Sequence, residues 1–231
     1  RNPVITSVMS NDRRDDRIER LEIICKDGNQ AFWLCTMIEE SESLDVQAAE
    51  SAKEWIENKS KNLKIGLVHS KLNKLEKDLA IENFRKGETN VLVCTTVIEV
   101  GMDVPNASLM IIENAERLGL SQLHQLRGRV GRGPNMNAYC VLLYQGSLGE
   151  IAEARMAAMK KTNDGFEISE IDMQLRGSGE ILGTKQSGGM ELKIADLIRD
   201  AHLLEKAQEL ANIISAQPIE IDILMSRWVG K

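Results

Sequence analysis

The chain has 231 residues, 42% hydrophobic and 28% charged, which excludes a disordered or fibrous protein and allows one domain with a sizeable appendage. Aromatic residues make up only 3%, so the core is expected to be aliphatic, as in helix-covered parallel sheets, and sandwiches and barrels are disfavoured. A formal net charge of -6 argues against a purely electrostatic nucleic-acid binder and confines any DNA contact to a local patch.

In chain order, six short apolar runs read as strands: Val4 to Met9, Ala31 to Thr36, Lys64 to Val68, Val91 to Thr95, Leu109 to Ile112 and Ala138 to Tyr144. Segments of helical period lie between them. Their apolar stripes are Ile18, Leu21 and Cys25; then Leu44, Ala48, Ala52, Trp55 and Ile56; then Leu75, Leu79, Ala80 and Phe84. Strands alternating with helices predict an α/β fold with a doubly wound parallel sheet over residues 1–150. After Tyr144 the strands stop, and residues 151–231 read as a second, mainly helical region. It holds a helix from Ile151 to Thr162, a Gly-rich charged stretch from Asn163 to Gly189, a long amphipathic helix marked by Ile194, Leu197, Ile198, Ala201, Leu204 and Ile214, and a short terminal helix with Trp228.

The four cysteines, Cys25, Cys35, Cys94 and Cys140, form no Cys-x-x-Cys pair and meet no His cluster, so they read as small core residues in a reducing compartment, not as metal ligands. The first residue is Arg1, no charged-then-apolar leader precedes the fold, and no apolar run is long enough to span a bilayer. The reading is a cytoplasmic piece of a longer protein with no membrane partner.

The segment Gln122 to Gly133, QLHQLRGRVGRG, concentrates Arg127, Arg129 and Arg132 among three glycines with no acidic residue nearby. A guanidinium is a planar fork of donors matched to phosphate oxygens, and glycine lets the backbone turn tightly beside a ligand. Arg129 and Arg132, three apart after a helix that starts near Leu120, are expected to project toward one point. Upstream, VLVCTTVIEVGMDVP (Val91 to Pro105) places Thr95 and Thr96 at the carboxyl end of a strand, where parallel sheets gather ligands. Helix capping is the plainer role for these threonines, and the two roles are compatible.

Gln125-x-x-Gly128-Arg129-x-Gly131-Arg132 resembles motif VI of the superfamily 2 helicases, and Val91 to Pro105 resembles motif V. The resemblance implies that Arg129 and Arg132 are arginine fingers reaching a triphosphate held by another domain, with Gln125, Gly101 and Asp103 facing the nucleotide. It implies that Thr95 and Thr96 contact DNA phosphate. Ala31 to Ser43 and Gly66 to Ser70 resemble motif IV and the next strand end, where His69 is more readily a local hydrogen-bonding residue than a DNA ligand.

Neither Gly-x-x-x-x-Gly-Lys-Ser/Thr nor an acidic Walker B run occurs in the sequence. ATP and Mg2+ are therefore expected to be bound mainly by a first motor domain absent from this chain. Ile111 to Gly133 and Asp172 to Gly188 are similar to the RecG family of branch-migrating helicases, the latter at its translocation motif. That resemblance implies a RecA-like domain and branched or forked double-stranded DNA as substrate, with partner motor and wedge domains elsewhere in the same protein. It implies that Arg176, Gly177, Gly179 and Gln186 couple ATP hydrolysis to movement. Lys185 departs from the arginine frequent there, which weakens any bidentate contact. A transcription-repair coupling translocase and a non-catalytic DNA-binding module are the alternative readings.

Overall fold

The computed structural model describes residues 2–13, 16–36, 42–95, 104–133 and 137–176, together with Leu203 and Lys206. By compactness the chain divides into two units, Arg1–Ser169 and Glu170–Lys231.

The first unit is built on β1 (Ile5–Ser10), β2 (Gln30–Cys35), β3 (Ile65–Val68), β4 (Val91–Cys94), β5 (Ala107–Glu113) and β6 (Tyr139–Tyr144). They form one sheet in the order β1-β6-β5-β2-β4-β3, and every adjacent pair is parallel. Its helices are α1 (Asp16–Lys26), α2 (Glu42–Lys59), α3 (Lys74–Arg85), α4 (Leu120–Arg127) and α5 (Glu150–Lys161); α6 (Gly165–Arg176) follows. The expected α/β parallel sheet flanked by helices is the observed fold. All six strands lie where the apolar runs put them, within two residues at each end.

β2 and β5 are buried along their whole length because they are central and covered on both faces. On one face Ala31, Trp33, Val91, Val93, Leu109 and Ile111 pack with Ile18, Leu21 and Cys25 of α1 and with Ala49, Ala52 and Ile56 of α2. On the other, the ring of Phe32 meets that of Phe84 of α3 at 5.0 Å and 60°. The four thiols are free and buried. Burial pushes Cys25 up to about 11 and Cys140 up to about 12, and raises Cys94 as well.

Two of the three expected helix stripes need correction. In α2 the buried stripe is Val46, Ala49, Ala52 and Ile56, while Leu44 is 40% exposed. The helix lays its small alanines on β2, and Trp55 is drawn to the side of Trp33, ring centres 5.9 Å apart. In α3 only Phe84 is buried, and Leu75 and Leu79 are 80% and 63% exposed. β3 is the edge strand and four residues long, so it offers α3 too little face to cover two further leucines. The start of α3 is fixed instead by a reciprocal cap, in which Asn73 Oδ1 accepts from the Glu76 amide and Glu76 Oε2 from the Asn73 amide, both at 2.9 Å.

Candidate functional site

The basic glycine-rich segment folds as a helix followed by a tight turn. Gly119 N–H donates to Gln122 Oε1 at the start of α4, and Leu120, Leu123 and Arg127 form its buried face. Gln125 lies on the exposed face. The helix ends at Gly128, whose amide still donates to His124 O, and the amide of Arg129 closes on Leu126 O at 2.9 Å. Val130 is then fully buried, an apolar plug between two arginines. Gly131 turns at φ +70°, a region costly for any residue with a Cβ. A Cβ there would stand 2.6 Å from Ala138 Cβ, and the Gly131 amide donates to Ala107 O at 2.9 Å. The turn is therefore pinned to the amino ends of β5 and β6.

The three arginines do not act as one basic run, which corrects the expectation of concentrated charge. Arg127 points inward and is 2% exposed. It donates to Met159 O at 2.7 Å and Thr162 O at 2.8 Å, carbonyls that α5 leaves open at its C-terminus, and to Thr6 Oγ1 of β1 at 3.3 Å. Its other terminal nitrogen lies 3.0 Å from His124 Nδ1. Arg129 is half-buried and Arg132 exposed, its Nε donating back to Gly128 O at 3.2 Å. Among the described residues the Arg129 guanidinium has no hydrogen-bond or ion-pair partner. A half-buried cation on a pinned backbone, with no partner among the described residues, fits one edge of an anionic ligand such as a triphosphate. Sequence reasoning missed the inward role of Arg127 and the part of His124. The i, i+3 spacing on one helix was a signal for the contact between the two side chains, not for the inward course of Arg127.

Thr95 lies at the other end of the strands. Thr95 follows β4, is buried at 3% exposure, and its amide donates to Val68 O at the end of β3. Cys94 is level with Leu34 and, through it, with Ile112; Ala107 stands five residues before Ile112 in β5. At about 3.3 Å per residue the finger turn and Thr95 are separated by roughly 17 Å along the strands. Thr95 and the finger turn thus lie at opposite ends of the strands. Thr96, Gly101, Asp103, Gly177, Gly179 and Gln186 lie outside the described residues, and Arg176 is the last residue of α6. His69 is buried with Nε2 3.9 Å from Glu50 Oε1. Among the described residues no group of three His, Cys, Asp or Glu side chains is placed to hold a metal, and no helix is long and apolar enough to cross a membrane.

A family model described as the helicase conserved C-terminal domain matches residues 5–134, more than half of the chain, with Thr95 and the Gly128–Arg132 turn inside it. The chain belongs to that helicase family. A second model, ATP-dependent DNA helicase RecG, domain 3, C-terminal, matches residues 162–223 of this helicase chain. Over 231 aligned residues it is 49% identical to the ATP-dependent DNA helicase RecG of Escherichia coli (strain K12), covering 99% of this chain and 33% of that protein. The helicase chain thus spans about one third of the length of the curated relatives it matches. A solved structure of RecG bound to a three-way DNA junction is 42% identical, with a TM-score of 0.68, over 89% of this chain and 26% of that one. Yeast Dbp5 (S. cerevisiae) bound to RNA and ADP BeF3 shares the fold at 14% identity and a TM-score of 0.51, over 76% of this chain and 44% of that one. The likeness to RecG expected from Ile111 to Gly133 and Asp172 to Gly188, and the RecA-like helicase fold, are what the comparisons show.

Proposed function

We propose that this chain is the second motor domain, residues 1–150, and the C-terminal translocation region, residues 151–231, of an ATP-dependent double-stranded DNA translocase. It acts in the cytoplasm, remodelling replication forks and branched junctions in recombination and repair. The observation that carries this reading is the pinned turn Gly128–Arg132, which presents Arg129 without a partner among the described residues and Arg132 in the open.

In this reading a first motor domain outside the chain holds ATP and Mg2+. Arg129 and Arg132 reach across to the triphosphate and offset the charge that spreads over the transferring phosphoryl group. Gln125 contacts the nucleotide or the opposite domain from the exposed face of α4, and Gly101 and Asp103 border the same site. Thr95, at the carboxyl end of β4, and Thr96 hold a DNA phosphate. Arg176, Gly177, Gly179 and Gln186 convert the nucleotide state into movement of duplex DNA. Likeness to RecG over both regions supports the assignment.

Two outcomes test it. The purified chain alone shows no ATP hydrolysis above background, because the phosphate loop and the metal carboxylates are not in it; turnover by the chain free of contaminants sinks the split-motor reading. In the intact protein, Arg176→Ala and Gln186→Ala keep DNA-stimulated hydrolysis within a few-fold of normal while junction unwinding falls about tenfold or more, because coupling needs an element with two arrangements that the ATP site biases. Equal losses in both rates, measured on one folded preparation, reject the coupling role.

A further inference from the structure

Arg127 lies two residues before Arg129, yet its side chain runs the opposite way, into the frame of the domain. One terminal nitrogen takes three acceptors from two elements, Thr6 Oγ1 on β1 and the Met159 and Thr162 carbonyls at the end of α5. The other faces His124 Nδ1 at 3.0 Å. The finger turn hangs from this residue: the Val130 amide reaches Arg127 O at 3.4 Å, and Arg132 Nε returns to Gly128 O. A guanidinium is a rigid plane, so an acceptor at each end fixes its rotation as well as its place.

We propose that Arg127, oriented by His124, is the positioning residue that holds the Gly128–Arg132 turn in its working register against β1 and α5. The inference rests on reading that turn as the phosphate-facing element.

Arginine has no acceptor, so His124 Nδ1 must be the unprotonated nitrogen and the ring neutral. One observation fits a ring kept in that state, and two describe its seat. Burial and then the neighbouring Arg127 charge draw its pKa below the usual histidine value, and only Asp164, in the link between α5 and α6, opposes them. Gly165 at the start of α6 leaves room for the ring, since a Cβ there would lie 3.2 Å from Nε2. A cavity of about 340 Å³, lined by Asn2, Val4, Asn163, His124 and Arg127 among others, borders the pair. On the β6 side the group facing Arg127 is the Cys140 thiol, which burial keeps protonated, so among the described residues Asp164 is the opposing charge at the ring. Protonation of His124 replaces the acceptor with a donor and sets a cation against a cation. The clamp is therefore made above the usual histidine pKa of about 6.5 and lost as pH falls through the lowered value in the folded protein.

The test uses the intact parent protein, with kcat and KM for ATP measured on branched DNA from about pH 5.5 to about pH 8, and thermal unfolding of each variant. His124→Ala lowers kcat about tenfold at the alkaline end and leaves KM within about twofold, as a displaced catalytic group should. His124→Asn, whose side-chain oxygen can stand where Nδ1 stands, keeps kcat and loses the wild-type decline at the acid end. Arg127→Lys keeps the charge without the fork and behaves like His124→Ala; if it does not fold, the two His124 variants decide. A residue that only stabilises the fold would lower the melting temperature, leave kcat per folded molecule intact and leave the pH profile unchanged. That pattern overturns the proposal, as does a His124→Asn variant that loses as much as His124→Ala. Failure of the underlying reading looks different, for then the parent shows no ATP turnover or is indifferent to loss of Arg129 and Arg132.

Discussion

Replacing Arg129 or Arg132 with alanine in the intact protein lowers the ATP turnover rate by several hundredfold or more, while KM for ATP changes far less. Several hundredfold corresponds to roughly 3 to 4 kcal/mol of transition-state stabilisation and is the smallest loss expected, since a removed arginine finger costs about a thousandfold or more. Its structural basis is the split of the basic segment into an inward arginine and two outward ones. Arg129 is half-buried beside the fully buried Val130, so its backbone is held while its guanidinium has no partner among the described residues. A cation placed in advance needs no reorganisation as charge develops on the phosphoryl group. Steady-state hydrolysis by both single variants is the measurement, and near-normal turnover in both excludes the finger role.

Gly131→Ala is expected to be severe although it adds one methyl group. A φ of +70° costs a residue with a Cβ about 1 to 2 kcal/mol, and the new carbon would stand 2.6 Å from Ala138 Cβ, which has no rotamer to escape into. Overpacking of this kind adds about 1 to 3 kcal/mol, so the sum is a large part of the stability of an ordinary domain. The strain falls one residue before Arg132 and on the amide that holds Ala107 O. Turnover in the intact protein therefore drops by about a hundredfold, the scale of a catalytic group misplaced by about 1 Å. Denaturation and hydrolysis measured together check this; an unchanged melting point means that the turn relaxes without cost.

The strands could be read from the sequence because a buried parallel strand is a short apolar run, and β2, β4 and β5 are buried at every position. The helix faces were harder. Leu75 and Leu79 have the spacing of a core stripe, but whether a stripe is covered depends on how much sheet lies beneath it, and at the edge strand β3 there is little. The arginine segment was legible as chemistry and only half legible as geometry. Its glycines marked a turn, and Gly131 needs one. The inward course of Arg127 depends on the open carbonyls of α5, 32 and 35 residues away in sequence, and no local pattern announces them. The separation of Thr95 from the turn follows from strand direction. The helix α4 that links them to the sheet runs back from the carboxyl end of β5 to the amino ends of β5 and β6, so neighbours in motif order come to opposite ends of the strands.

The four cysteines, unused by the chemistry proposed for this chain, bear on how its motion can be watched. A thiol reacts with maleimides and iodoacetamides as the thiolate, and these are buried, with Cys25, Cys94 and Cys140 pushed toward the protonated form. The native sequence is thus close to silent toward such reagents while folded. A single cysteine introduced on an exposed face away from the proposed contacts, at Leu79 for instance, would carry a fluorophore or spin label without prior removal of the other four, so the distance from α3 to a phosphate analogue can be followed in an otherwise unaltered chain.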